Sequence, residues 1–427
     1  MRDALIVSTF EGGYQPLTAM TATSALSAAG FDVDLLDIYV EGLNTERFKD
    51  ADTIGISVPL FDSLNAGIQV AQQIRSANPS ANIVFFGQYA TINAPRLSGS
   101  YGDYTIAGEW EQPLTHLVKR LKNGGVPAEG IPGVVDSAAA RAGQPMHPYL
   151  SRDHFRTPDR RFAPGLSKYP QPQIAKLTGE NLLVGGLEAT RGCHHKCTYC
   201  SVFAAYDGKV LIVPADVVID DVRNLVAQGM THLTFTDADF FNAKRHSVGL
   251  LRRLHEEFPA LTYDFTTRVD HIVENPDLMR EMAGLGVRFI TSALEFPKQR
   301  VLDEVFKEVT VEVIEQSIAL LRSCGVILNP TFIMFNPWID LEDLVLFHEF
   351  VERNGLENVI DPIQYETRLH LYKGSPLLAN PSIQALQLEE HEFHFDWKHP
   401  DPRVDELYLQ SLTPVEEGVF KRCCLKC

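Results

Sequence analysis

Seven cysteines stand in the 427-residue chain, and six of them fall into two tight groups. Cys193, Cys197 and Cys200 form a C-x3-C-x2-C loop. Cys423, Cys424 and Cys427 close the chain in Lys421-Arg422-Cys423-Cys424-Leu425-Lys426-Cys427. A disulfide framework spreads cysteines along a short secreted chain, whereas clusters in a long chain read as metal or redox sites and place the protein in a reducing cytoplasm. Three thiolates on one short loop can hold three irons of a [4Fe–4S] cubane. Iron–sulfur clusters normally take four cysteines, so three leave one iron open, and an open metal position is where a substrate binds. Gly192 eases the turn into this loop. The competing assignment is zinc, with His194 or His195 as a fourth ligand.

The terminal group is the more unusual. Three thiols within five residues can converge on one soft ion, and thiolates favour soft metals and metalloids. Trivalent arsenic takes three thiolates in a trigonal pyramid, a count this tail matches. Lys421, Arg422 and Lys426 favour the thiolate forms by their charge. Three alternatives stay open: zinc shared with His391, His394 or His399, a redox disulfide, and a second cluster. Cys324, alone in a helix-like stretch before Gly325, reads as a small buried hydrophobe.

The elements that must position these groups follow from apolar runs and breakers. Continuous apolar runs at 4–10, 33–38, 53–58, 83–86 and 104–107 alternate with helix-like stretches at 17–29 and 64–77. Continuous rather than alternating apolarity indicates a parallel sheet covered on both faces, hence a doubly wound, Rossmann-like domain over residues 1–122 with ligands at the strand C-termini. Residues 123–180 are rich in Gly and Pro and read as a linker, carrying a basic patch, Arg156 to Arg161, suited to solvent or to an interdomain clamp. Strand–helix alternation resumes over 181–384, with strands expected at 182–188, 232–236, 262–267, 289–293, 327–334 and 364–370. Six repeats predict a partial (β/α)6 barrel whose C-terminal loops carry the chemistry. Residues 385–427 form a C-terminal extension ending in the cysteine tail.

Composition narrows the partners. A formal net charge of −17 argues against nucleic acid, which needs a concentrated basic surface. No apolar run is long enough to span a bilayer, and Met1-Arg2-Asp3-Ala4 lacks a signal-peptide design.

Cys193, Cys197, Tyr199 and Cys200 match the C-x3-C-x-aromatic-C signature, and over roughly residues 180–380 the chain resembles the radical S-adenosylmethionine superfamily. The resemblance includes Thr236-Asp237-Ala238-Asp239-Phe240, Arg268, Leu294-Glu295-Phe296 and Tyr372-Lys373-Gly374-Ser375-Pro376. It implies a [4Fe–4S] cluster whose open iron chelates S-adenosylmethionine, with Tyr199 against the adenine, Asp239 near the methionyl amine, Glu295 near the ribose hydroxyls and Arg268 close by. Phe335-Asn336-Pro337-Trp338 departs from the Gly-x-Pro common at this point in relatives. The N-terminal domain resembles the cobalamin-binding domains of the B12-dependent branch, which typically transfers methyl groups. The Asp-x-His-x-x-Gly pattern for an axial histidine is absent and no histidine precedes His116, which leaves cobalamin open.

Together with the terminal Arg-Cys-Cys-Leu-Lys-Cys, the chain closely resembles the radical enzymes of arsinothricin biosynthesis. That resemblance implies a finer reaction. The 3-amino-3-carboxypropyl group of S-adenosylmethionine passes to arsenite held by Cys423, Cys424 and Cys427, forming the C–As bond of hydroxyarsinothricin and leaving methylthioadenosine. The electron donor would be of flavodoxin or ferredoxin type. The alternative is a cobalamin-dependent radical methyltransferase acting on a small molecule.

Overall fold

The computed structural model describes residues 2–124, 128–144 and 146–412. The tail cysteines Cys423, Cys424 and Cys427 lie outside these residues.

The N-terminal sheet is built from β1 (Arg2–Ser8), β2 (Val33–Asp37), β3 (Ala51–Ser57), β4 (Asn82–Phe86), β5 (Tyr104–Ile106) and β6 (Val134–Asp136), in the order β2-β1-β3-β4-β5-β6. All pairs are parallel except β5 with β6. Ala4, Leu5, Ile6 and Val7 are all fully buried, because helices cover both faces. Their side chains split between two cores, Leu5 and Val7 on one face and Ala4 and Ile6 on the other. The strand order reverses between β1 and β3, which opens a crevice at their C-terminal ends. Glu11 sits there, accepting from the Thr18 and Ala19 amides at 2.8 and 3.1 Å and from the Ser57 hydroxyl at 2.7 Å.

The second domain contains β7 (Val184–Leu187), a separate hairpin of β8 (Thr190–Gly192) and β9 (Val210–Ile212), then β10 (His232–Phe235), β11 (Thr262–Thr266), β12 (Val287–Glu295) and β13 (Ile327–Phe332). The five parallel strands run β7-β10-β11-β12-β13. The sixth strand expected at 364–370 does not form. Pro362–Glu366 is a 3-10 turn, and a single bridge from Phe335 to Arg368 stands in the sixth position. Side chains satisfy the backbone that a sixth strand would have paired. Gln364 Oε1 accepts the Phe332 amide at 2.8 Å, and Thr367 Oγ1 accepts the Met334 amide at 3.0 Å.

Alternation along these strands sends Leu233, Phe235, Tyr263 and Phe265 outward to the helices. Thr234 faces the lumen, where it donates to Asp264 at 2.5 Å, and His232 reaches the same carboxylate at 3.1 Å. Tyr14, from the loop after β1, lies against this polar layer with its hydroxyl 3.4 Å from Thr234 Oγ1. A Cβ on Gly186 would stand 3.0 Å from the Tyr14 ring, so Gly186 makes room for it. Tyr14 packs with Ile174, Val184 and Phe289, and the N-terminal domain thereby helps fill the barrel interior.

The basic patch of the Gly/Pro-rich segment divides in two. Arg161 is exposed and pairs with Asp159, while Arg160 is buried and clamps Asp221 at 2.6 Å and the Gly186 carbonyl at 3.0 Å. A third, antiparallel sheet joins β14 (Leu371–Tyr372), β15 (Leu388–Glu390) and β16 (His394–Trp397) in the order β14-β16-β15. Its Phe393 enters the N-terminal core. Among the described residues no helix is long and apolar enough to cross a membrane.

Candidate active site

The cysteine loop leaves β8 at Gly192, where φ is +84° and an added Cβ would stand 2.2 Å from the carbonyl of Lys209, the residue before β9. Only glycine fits so close a crossing. The preceding residue fixes the hairpin to the N-terminal domain. Arg191, 3% exposed, meets Glu109 at 2.7 Å and Glu111 at 2.9 Å, with its guanidinium 4.2 Å above the Trp110 ring. His154 completes this buried knot at 2.8 Å from Glu109. Burial alone would raise the Glu109 carboxyl, but Arg191 and His154 hold it below the usual range.

Cys193 and Cys197 are each 8% exposed. Burial lifts all three thiols, Cys200 to about 12. Thiolates in so dry a place are favoured only beside a bound cation. The Arg268 guanidinium lies 3.7 Å from Cys197 Sγ, and Cys193 Sγ lies 3.7 Å from Asn242 Oδ1.

Around the loop stand the predicted partners, each at the C-terminal end of a barrel strand. Asp237 and Asp239 follow β10 but differ in role. Asp237 is structural, accepting the Ala189 and Thr190 amides at 2.9 and 2.6 Å. Asp239 faces the loop, with His195 Nε2 and His271 Nδ1 both 3.2 Å from its Oδ2 and Thr267 donating to Oδ1 at 2.7 Å. Burial works to raise its carboxyl, and the hydrogen bonds from His195, His271 and Thr267 outweigh it, so Asp239 titrates well below an ordinary aspartate. Arg268 follows β11, fixed by Asp270 at 2.8 Å and the Lys307 carbonyl at 2.6 Å. Glu295 ends β12 with φ of +59°, where the pairing with β13 shifts register. Left-handed backbone at a non-glycine residue costs of order 1–3 kcal/mol and clusters at functional sites. Glu295 accepts from the Tyr199 hydroxyl and pairs with buried Lys307 at 2.6 Å.

His271, Lys307 and the Glu109–Arg191 knot were not singled out from the sequence. His271 had a signal, since it lies one turn beyond Arg268 at a strand-to-helix junction. Lys307 had none, because it arrives on a loop twelve residues beyond its partner.

A match to the B12 binding domain family covers residues 4–118, and a match to the Radical SAM superfamily covers residues 187–351. The chain joins a B12-binding domain to a radical SAM domain.

Curated relatives are remote. A hopanoid C-3 methylase of Methylococcus capsulatus is 23% identical over 334 residues, 76% of this chain and 62% of that protein. An anaerobic magnesium-protoporphyrin IX monomethyl ester cyclase of Rubrivivax gelatinosus is 22% identical over 339 residues, 76% of this chain and 59% of that protein. The chain thus spans about three fifths of the length of these relatives. Among solved structures, the radical S-adenosylmethionine methyltransferase TsrM from Kitasatospora setae superposes with a TM-score of 0.71 at 18% identity, covering 97% of this chain and 91% of that one. The cobalamin-dependent radical enzyme OxsB, with aqua-cobalamin and S-adenosylmethionine bound, gives 0.72 at 16% identity, covering 95% and 66%. These likenesses establish a shared fold.

The radical SAM domain implies a [4Fe–4S] cluster and S-adenosylmethionine, and the three cysteines, two buried and one half-buried, with their cationic neighbour fit a cluster. The B12-binding domain implies cobalamin. At the C-terminal end of β1, Ser8 Oγ and Thr9 Oγ1 are buried without hydrogen-bond partners, as is Asn93 Oδ1 between the two helices that follow β4. Such unsatisfied polar atoms fit a cofactor rimmed with amide side chains. The loop after β1, Phe10 to Gln15, offers no histidine to a cobalt.

Proposed function

We propose that this chain is a radical S-adenosylmethionine transferase that moves a carbon group of S-adenosylmethionine to a small-molecule acceptor. The observation that carries the reading is the convergence of Asp239, Arg268 and Glu295, from three successive strand ends, on the cysteine loop. Cys193, Cys197 and Cys200 would hold a [4Fe–4S] cluster, which when bound would supply the electron for cleaving a C–S bond of the sulfonium. The chain's own residues orient the substrate. Asp239, kept ionised by two imidazoles, holds the methionyl ammonium. Glu295 takes the ribose hydroxyls, with Tyr199 lying against the adenine. Arg268 and Lys307 balance the anions gathered there. With Tyr14 occupying the lumen, a small acceptor is favoured.

Two group transfers are consistent with this site. Methyl transfer involving cobalamin has the broader support: the B12-binding domain, the fold shared with TsrM and OxsB, and the remote likeness to a hopanoid methylase. Transfer of the 3-amino-3-carboxypropyl group to arsenite is favoured by a separate observation, the Cys423-Cys424-x-x-Cys427 tail between Arg422 and Lys426. In that reaction one electron breaks the C–S bond. The carbon radical adds to the thiolate-bound trivalent arsenic, and a second electron with release of one cysteine thiolate restores a trivalent, carbon-bearing arsenic that water then frees from the tail. Either reaction draws on a flavodoxin- or ferredoxin-type donor in a reducing cytoplasm.

The test is anaerobic. Reduced, reconstituted protein is mixed with S-adenosylmethionine, with and without arsenite or cobalamin, and the products are identified by mass spectrometry. Methylthioadenosine with an arsenic-bearing amino acid selects the second transfer. S-adenosylhomocysteine or 5′-deoxyadenosine, indifferent to arsenite, selects the first. No cleavage under any condition refutes both.

A further inference from the structure

The turn between β15 and β16 carries His391-Glu392-Phe393-His394, closed by the His391 amide on the His394 carbonyl at 2.9 Å. It is docked rather than free. Phe393 is buried in the N-terminal core, and Glu392 accepts from the Tyr101 hydroxyl. Beside this docked tip, His391 Nε2 stands 3.1 Å from one Asp396 oxygen and His394 Nε2 stands 3.5 Å from the other. The two rings are nearly parallel, with centroids 4.8 Å apart.

We propose that His391, His394 and Asp396 bind one divalent transition ion, zinc by their chemistry, which stiffens this docked turn. One potential ligand atom from each residue lies within 4.8 Å of the others. Zinc takes imidazole nitrogen and carboxylate oxygen at about 2.0–2.2 Å, so the donors must close by an ångström or so. Asp396, 66% exposed, is free to make that adjustment. Two imidazoles and a carboxylate form a borderline donor set that suits zinc better than calcium or magnesium.

Two further observations point to a missing cation. Asp396 lies directly across the strand pair from Glu389, and like charges directly opposite destabilise a sheet. Among the described residues neither carboxylate pairs with a lysine or arginine; Glu389 instead reaches His391 at 3.8 Å and could serve as a further ligand. His391 Nε2 is shielded from solvent without a hydrogen-bond partner, although its side chain is 38% exposed, so the nitrogen turns inward to the cluster.

The experiment uses the full chain with its cluster built and with Cys423, Cys424 and Cys427 changed to serine, so that tail thiols take no zinc. Equilibrium dialysis against micromolar zinc, followed by metal analysis, should find one zinc more per chain than in the same protein carrying His391→Ala and His394→Ala. Zinc should raise the melting temperature of the first protein only. Asp396→Asn, which leaves the turn intact, should weaken zinc binding at least tenfold and guards against misfolding of the double variant. Equal zinc in all three proteins, or none in the first, overturns the proposal.

Discussion

Replacing Arg191 by Met tests whether the N-terminal domain fixes the cysteine loop through a buried charge. Arg191 is shielded from water together with Glu109, and the two meet at 2.7 Å. The variant leaves Glu109 and Glu111 facing each other with His154 as the nearest remaining partner. Removing one member of a buried ion pair costs about 3–5 kcal/mol. The lost guanidinium contact with Trp110, at 4.2 Å, adds about 1–2 kcal/mol. The sum approaches the whole stability of a domain, about 5–15 kcal/mol. Gly192 and Cys193 follow immediately, so the damage should fall on the loop. Hydrogen exchange should show lost protection in β8 and β9, and iron per chain after reconstitution should drop severalfold. Adding Glu109→Gln to Arg191→Met removes one of the stranded carboxylates and should restore part of both readouts. Full iron content in the single variant, or no recovery in the double variant, would refute the reasoning.

Serine at Cys193, Cys197 or Cys200 should abolish iron uptake and visible absorption, while Cys324→Ser should leave both unchanged; iron retained by any of the first three removes that residue from the ligand set. Asp239→Asn should weaken S-adenosylmethionine binding about tenfold or more, about 1.4 kcal/mol, without loss of iron, as read by equilibrium binding; unchanged affinity would show that the ammonium lies elsewhere. Burial raises the Glu11 carboxyl from 4.5 to about 7, so its contribution to stability is present below about pH 4.5 and is lost as pH rises through 7. That shift is worth about 3 kcal/mol. Denaturation of wild type and Glu11→Gln at pH 5 and pH 8 should therefore move in the variant's favour by about that amount, and a constant gap would contradict the assignment.

The N-terminal strands were legible because burial on both faces makes them continuous apolar runs, within a few residues of β1 to β5. The short β6 was hidden among glycines and prolines, where only three residues pair. The sixth barrel strand misled because Gln364 and Thr367 sit in a strand-like run yet spend their side chains on the backbone beyond β13. The cysteine loop was legible because its spacing is local. Asp239, Arg268 and Glu295 were named through the family resemblance, and all three stand at or just past the C-terminal ends of barrel strands. Lys307 and His154 could not be placed, since their roles depend on loops whose paths no periodicity encodes.

The domain order has a physical logic that the buried knot exposes. The loop from Cys193 to Cys200 has little core of its own, and its first turn depends on Gly192 crossing close to Lys209. A loop so lightly anchored would drift by more than the ångström that positioned chemistry tolerates. Arg191 counters this with carboxylates from a domain more than seventy residues earlier in the chain. Arg160 does the same for the open edge of β7, tying Gly186 to Asp221, while Tyr14 fills the space behind that strand. Arg191 and Tyr14 thus join the two domains, and Arg160, from the segment between them, also donates to Gln15 of the first domain at 3.3 Å. The face that would hold a B12 cofactor and the loop that would hold the cluster are thus kept in register by buried polar contacts, whose disruption should disturb both sites together.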